Sequence, residues 1–368
     1  MRVALVHDYL VQYGGAERVL ESLCEIFPDA PVYTLIYDKD STSGAFDNRK
    51  IRTSWLQKIP LARSHHRLFP ILMPMAIESF DLSGFDLVIS DSNSFAKGIL
   101  TKPETLHICY CHTPIRYGWD DSHKYIKEFH YSALTKKFVP FMMNYIRLWD
   151  KISDRRPDRY IANSNFVAKR IKKYYSRSSE IIYPPVDIKK YYITKNISDY
   201  FLMVGRLLPY KRFDIAIEAF NRIEIPLKII GEGPEIKRLK KKARSNIEFL
   251  GRLNDKQIKD YYAKCRALIF PQEEDFGIVA LEAMASGRPV IAFRGGGALE
   301  TIEEEKTGVF FNEQTPESLM EAVKNFNQAS FNPEAIRQHA LGFDKEIFKE
   351  KIEQFIERAW KEFEISEN

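Results

Sequence analysis

A chain of 368 residues, 45% of them hydrophobic, is long enough for two ordinary domains with separate buried cores, and its regular punctuation excludes a disordered polymer. The net charge of +5 is modest, and the clusters Lys237-Arg238-Leu239-Lys240-Lys241-Lys242 and Arg63-Ser64-His65-His66-Arg67 read first as solvated faces. No zinc-finger spacing or aromatic RNA-binding signature accompanies them, so nucleic acid is not an expected partner. Cys24, Cys109, Cys111 and Cys265 are too few and too apolar in setting for a disulfide scaffold. No apolar run approaches the roughly 20 residues that span a bilayer. The chain opens on a strand without a signal peptide, so the expected location is a reducing cytoplasm, with membrane contact at most peripheral.

In chain order, apolar runs predict strands near residues 2–7, 31–36, 86–90, 106–111 and 158–162, and amphipathic segments predict helices near 15–27, 125–150 and 164–175. That alternation implies a parallel sheet built from right-handed crossovers. Tyr183-Pro184-Pro185-Val186-Asp187 interrupts it, and the polar stretch Tyr191-Tyr192-Ile193-Thr194-Lys195-Asn196 follows, which reads as a hinge. Five further strands, near 200–204, 227–230, 247–250, 267–270 and 289–293, each lead into a helical segment and predict a second doubly wound sheet. The expected organisation is an α/β chain with an N-terminal domain over 1–185 and a second domain over 186–344. A C-terminal helix over 345–368 carries the stripe Ile347, Phe348, Ile352, Phe355, Ile356, Ala359 and Trp360, and is expected to pack back across the hinge.

Ligands of such sheets sit beyond the carboxyl ends of the strands, where Gly14, Gly15, Gly205, Gly231, Gly233 and Gly277 all fall. The ligand is therefore expected between the domains. The most informative stretch is Pro271-Gln272-Glu273-Glu274-Asp275-Phe276-Gly277-Ile278-Val279-Ala280-Leu281-Glu282, where a strand turns into a helix with acids on both sides of a glycine. Backbone N–H groups of Phe276, Gly277 and Ile278 at a helix start favour a phosphate. The flanking acids suit hydroxyls instead, so the pattern predicts sugar, diphosphate and ribose in a row, a nucleotide sugar. In Gly205-Arg206-Leu207-Leu208-Pro209-Tyr210-Lys211-Arg212-Phe213-Asp214, Arg206 can fork onto phosphate oxygens, and Lys211, expected to open the next helix, supplies a point charge.

These motifs, with Gly231-Glu232-Gly233-Pro234 and the pair Glu274 and Glu282, resemble the donor domain of the retaining glycosyltransferases of family four, which have the GT-B fold. The resemblance spans nearly the whole chain and implies two Rossmann-like domains facing each other across a cleft. Tyr13-Gly14-Gly15-Ala16-Glu17 is similar to the family's glycine loop, and His107-Ile108-Cys109-Tyr110-Cys111-His112-Thr113-Pro114-Ile115-Arg116-Tyr117 resembles the branch of mannosyltransferases that build bacterial surface polysaccharide. The likeness implies that Glu274 approaches hydroxyls of the transferred sugar and Glu282 holds the ribose, while Arg206 and Lys211 contact the diphosphate. Phe276, Gly277, Ile278 and Val279 belong to the implied donor site, as do Gly14 and Gly15. His112 is implied beside donor sugar and acceptor, and Arg252 and Leu253 near the base.

A zinc site from His107, Cys109, Cys111 and His112 is disfavoured, because strand alternation turns the first three away from the fourth. Asp38-Lys39-Asp40 offers two acids, but Arg206, Lys211 and a helix terminus already supply the positive charge a departing diphosphate needs, so no metal or other cofactor is expected. Asn163-Ser164-Asn165 reads as a helix cap. The implied activity is retaining transfer of a hexose, foremost mannose from GDP-mannose, to a lipid-linked or growing surface glycan. A UDP-sugar donor, a GT-B epimerase without acceptor, and a non-catalytic nucleic-acid binder are the alternatives. Residues 61–75 mix cations with large apolar groups, as either a segment lying on an anionic membrane surface or an ordinary buried helix-turn does.

Overall fold

The computed structural model describes residues 1–116, 118–120 and 133–367. Its chain forms two compact units, one of Met1–Pro185 joined by the C-terminal residues from Phe348 onward, the other of Val186–Ile347.

In the first unit a parallel sheet is built from β1 (Val3–His7), β2 (Val32–Thr34), β3 (Ile51–Thr53), β4 (Leu87–Ser92), β5 (Leu106–Cys111), β6 (Arg159–Ala162) and β7 (Glu180–Ile181). Their order is β3-β2-β1-β4-β5-β6-β7. Alternation sends Leu5 and Ile89 to one face, where they meet Val19 and Leu23 of the helix Gly15–Ile26, and sends Ala4, Val6 and Val88 to the other, against Ile146 and Trp149 of the helix Ala133–Ser153. The helix read over 125–150 is therefore described only from Ala133, and Tyr117 and residues 121–132 lie outside the described residues.

The C-terminal helix Lys345–Glu367 explains the apolar stripe at its start. Phe348, Ile352, Phe355, Ile356 and Ala359 are buried in the same core as Leu5 and Ile89. Each Ile or Phe buried in this way is worth about 1.5–3 kcal/mol.

The second unit holds β8 (Phe201–Val204), β9 (Leu227–Ile230), β10 (Ile247–Gly251), β11 (Leu268–Phe270), β12 (Val290–Phe293) and β13 (Gly308–Phe311), all parallel, in the order β10-β9-β8-β11-β12-β13. Its core packs Phe201, Ile229, Ile269 and Ile291 against Ile215 and Ala219 of the helix Phe213–Ile223. The two ends of this unit are tied together: Val186 N–H donates to the Phe343 carbonyl at 3.1 Å, and Lys345 N–H donates to the Val186 carbonyl at 3.0 Å.

Candidate active site

Strand order reverses between β1 and β4 in one sheet and between β8 and β11 in the other, the places where doubly wound sheets open a crevice beyond their carboxyl ends. Most of the sequence-predicted residues lie at these two points, with Arg252 and Leu253 the exceptions.

In the second unit β8 runs into Gly205 and the exposed Arg206, then into a single 3-10 turn, Pro209–Lys211. The sequence reading had Lys211 opening the following helix, and the structure corrects this. Arg212 takes the left-handed conformation at φ 53°, which breaks the turn from the helix Phe213–Ile223 and leaves Lys211 at the end of the turn. There its ammonium forms an ion pair with Oε1 of Glu274, both side chains being largely buried. The pair is itself positioned, because Gln272 Nε2 donates to Glu274 Oε1 at 3.4 Å and Gly297 N–H donates to the Glu274 carbonyl at 2.8 Å.

Residues 271–277 lead from β11 into the helix Ile278–Ala285, whose N-cap is Gly277 with no side chain capping it. Gly277 sits at φ 96°, and a Cβ there would lie 2.8 Å from the Phe270 ring, so the acid turn depends on glycine. The Phe276 side chain is buried, 6.0 Å from the Phe343 ring, which leaves Phe276 only its backbone to offer a ligand. Ile278 and Val279 are half-buried at the helix start. One turn further along, Glu282 is 4% exposed and accepts a 2.7 Å hydrogen bond from the Tyr262 hydroxyl at Oε2. Arg252 is exposed and Leu253 half-buried just past β10, two strands from the switch point.

Sequence reasoning missed Gly295-Gly296-Gly297, the loop after β12. A Cβ on Gly296 would lie 2.3 Å from the Glu274 carbonyl oxygen, and one on Gly297 2.4 Å from Cα of Phe276. This loop is the floor on which the acid turn rests, and a run of three glycines after a predicted strand was its signal.

In the first unit β1 ends at His7, and Gly14 caps the helix Gly15–Ile26 while Glu17 Oε2 accepts from Gly14 N–H at 2.8 Å. His112 follows β5 and lies 2.6 Å, Nε2 to Oδ1, from Asp91 on β4. The other oxygen of Asp91 is 2.8 Å from His7 Nδ1, and His7 Nε2 is 3.8 Å from Glu17 Oε1. His7, Asp91 and Glu17 are fully buried, and the His112 ring is 12% exposed. Burial alone would push the Asp91 carboxyl up, but the charges and hydrogen bonds of His112 and His7 outweigh it and hold the pKa below the ordinary value. Burial likewise pulls His7 down, and the hydrogen bond and charge of Asp91, with the charge of Glu17, reverse this and raise it to about 10. Beside them Asp8 accepts from the backbone N–H groups of Asn93, Ser94, Phe95 and Ala96 at 2.5–2.9 Å, which fixes the loop leaving β4. Sequence reasoning singled out His112 and the glycine loop as candidates but not His7, Asp91 or the inward turn of Glu17.

The strand geometry separates the residues of the disfavoured zinc reading. His107 Nε2 pairs with the Ser90 hydroxyl at 2.8 Å, burial pulls its pKa down to about 3, and Cys109 and Cys111 pack with Tyr160 and Val167. Among the described residues no group of three or more His, Cys, Asp or Glu side chains is arranged to hold a metal ion. Ser164 caps the helix Asn165–Tyr175 by accepting from Val167 N–H at 3.0 Å. Asp38 accepts from the Ser41 hydroxyl at 2.7 Å, and Asp40 opens the turn Asp40–Thr42.

Residues 13–190 match Glycosyltransferase Family 4, and residues 189–340 match Glycosyl transferases group 1. An uncharacterized glycosyltransferase of Methanocaldococcus jannaschii is 27% identical over 98% of both chains. The O-antigen chain mannosyltransferase C of Escherichia coli is 28% identical over 88% of both. Among solved structures, Anabaena HepE in complex with UDP-glucose superposes with a TM-score of 0.71 at 18% identity, covering 97% of this chain and 100% of that one, a likeness of fold. With consecutive matches running from Tyr13 to Ala340 and a sheet switch point in each unit, the chain belongs to glycosyltransferase family four and is a glycosyltransferase of the GT-B fold.

Proposed function

We propose that the protein transfers mannose from GDP-mannose, with retention of configuration, to a growing or lipid-linked glycan. The observation that carries the reading is the Lys211–Glu274 ion pair beside the Gly277 helix start. A lysine held by a carboxylate is preorganised. An arriving diphosphate takes over its charge and frees Glu274 to accept from sugar hydroxyls, while Arg206 forks onto phosphate oxygens. As the sugar–phosphate bond breaks, negative charge grows on the leaving oxygen next to Lys211 and Arg206. That oxygen takes the proton of the acceptor hydroxyl as the new glycosidic bond forms on the same face of the sugar. The diphosphate's charge is met by side chains, so the reaction proceeds without an added metal, and EDTA leaves the rate unchanged.

Mannose is favoured by the E. coli relative, which is a mannosyltransferase alike over most of both chains. Incubation with GDP-mannose or UDP-hexoses, followed by NMR of the product's anomeric linkage, tests donor and stereochemistry together. Retained mannose linked to an acceptor is expected. Turnover of UDP-sugars alone would overturn the donor, and donor rearrangement without any acceptor would make the protein an epimerase.

The first unit supports an acceptor held at an anionic membrane surface on the cytoplasmic side. Residues 51–77 contain no Asp or Glu, and Leu61, Leu68, Ile71 and Met75 in this stretch are each at least half exposed. Phe141, Tyr145, Leu148 and Ile152 add an exposed stripe on the helix Ala133–Ser153. No helix among the described residues is long and apolar enough to cross a membrane. Co-sedimentation is expected with vesicles containing phosphatidylglycerol and not with phosphatidylcholine alone, and Leu68→Glu with Leu148→Glu should abolish it. Equal binding to both vesicles, or none, removes the membrane.

A further inference from the structure

We infer that Asp91 and His7 are positioning residues for His112: by clamping its Nε2–H they fix one tautomer and one ring plane and leave Nδ1 as the atom His112 turns toward the sugar. The inference deepens the proposed function, because it rests on His112 meeting the donor side of the reaction.

The geometry has little slack. His7 and Asp91 are register partners on β1 and β4, so their side chains share one face of the sheet at adjacent strand ends. Asp91 has two carboxylate oxygens, and each is spoken for: Oδ2 by His7 Nδ1 at 2.8 Å and Oδ1 by His112 Nε2 at 2.6 Å. An ionised carboxylate can only accept, so both ring nitrogens must carry the hydrogen. For a neutral His112 that places the lone pair on Nδ1, where it accepts, and for a protonated one it places the only other N–H there. The Tyr110 ring, edge-on at 5.2 Å, limits tilting of the His112 ring.

His7 completes the clamp from behind. It lies between Asp91 and Glu17, both fully buried, so a single imidazolium faces two carboxylates. Without it Asp91 would keep one buried oxygen lacking a donor and could swing toward His112 or bind both oxygens to it. Glu17 also receives Gly14 N–H at 2.8 Å, so the glycine loop and His112 hang on the same chain of contacts, running Gly14, Glu17, His7, Asp91, His112. The arrangement is a relay of orientation, in which none of the three inner groups needs to reach the substrate.

The test uses the full-length protein labelled with 15N-histidine. Long-range 1H–15N spectra of wild type should show His112 protonated at Nε2, and a His112 found as the Nδ1–H tautomer when neutral would overturn the inference without any variant. Asp91→Asn offers an amide that can donate to one ring and accept from only one, so the His112 tautomer should become mixed. With whichever nucleotide sugar the wild type turns over, kcat should then fall by about 10²-fold while nucleotide diphosphate affinity, carried by the second unit, stays unchanged. His7→Asn keeps a donor toward Asp91 and should retain most activity, whereas His7→Leu should lose about tenfold in kcat. Equal losses in His7→Asn and His7→Leu, or an Asp91→Asn enzyme with unchanged kcat, would show the cluster to be merely structural. Full activity of His112→Ala would sink the clamp's catalytic meaning, leaving the second-unit donor site standing. A wild type active only on another donor would sink the GDP-mannose reading and leave this one intact.

Discussion

The two units each gather candidate site residues at a sheet switch point, by opposite means. In the second unit the backbone does most of the work: Gly277 and Gly297 allow close approach, the acid turn lies on the glycine loop, and side-chain contacts such as Lys211 with Glu274 and Tyr262 with Glu282 are added to it. In the first unit side chains do it, through a fully buried chain of Glu17, His7 and Asp91 that ends at the partly exposed His112. A site built on backbone approach tolerates no added carbon. A site built on buried charge tolerates no lost partner.

The comparison is sharpened most strongly at Lys211. Lys211→Ala removes the cation expected to meet growing negative charge, so kcat should drop by about 10²–10³ with acceptor KM nearly unchanged, read by initial rates. Equal and modest changes in both would move the catalytic charge elsewhere. Next comes Gly297→Ala. Its methyl group would press on Phe276 Cα at 2.4 Å and must displace the acid turn, so nucleotide diphosphate affinity should fall at least tenfold by calorimetry. Native affinity there would break the claim that this loop is the floor of the site.

A smaller effect is expected from Tyr262→Phe. The lost hydroxyl leaves Oε2 of the buried Glu282 short of a donor, at a cost of about 1–3 kcal/mol. Donor KM should rise several-fold with kcat preserved. A pH effect on stability, confined to the first unit, stands apart from these effects on binding and rate. His7 titrates at about 10 when folded against 6.5 when not, so its contribution to stability is complete below pH 6.5 and drains away as pH climbs toward 10. Asp91 and Glu17 are shifted the other way, and their contributions are present above about pH 4 and lost as pH falls through the lowered values. Chemical denaturation across pH should show the alkaline decline in wild type and its absence in His7→Leu.

Most central strands were legible because buried parallel strands are continuous apolar runs, as Leu268-Ile269-Phe270 and Val290-Ile291-Ala292-Phe293 are. β3 (Ile-Arg-Thr) and the two-residue β7, the edges of the first sheet, were not, since strands so short carry no such run, and β13, an edge of the second sheet, begins on a glycine. At the candidate site, Arg206, Lys211, Glu274 and Glu282 stood out because they lie in local motifs, although Lys211 ends a 3-10 turn and does not open the helix. What stayed hidden was pairing at a distance. His7 and Asp91 are 84 positions apart and meet only through the register of β1 on β4, which no local pattern encodes. Lys211 and Glu274 were each read as contacts for a ligand, and the structure adds that they also hold one another.

The C-terminal helix has a consequence for biosynthesis. Because Phe348, Ile352 and Ile356 complete the core of the first unit, the second unit is an insertion within it, and a ribosome that has delivered residue 347 has released a finished insert inside an unfinished host. The strands of the first unit must wait for this later-made helix, with apolar surface bare in the interval, and a nascent chain cut within the helix would harm a part of the molecule made well before it.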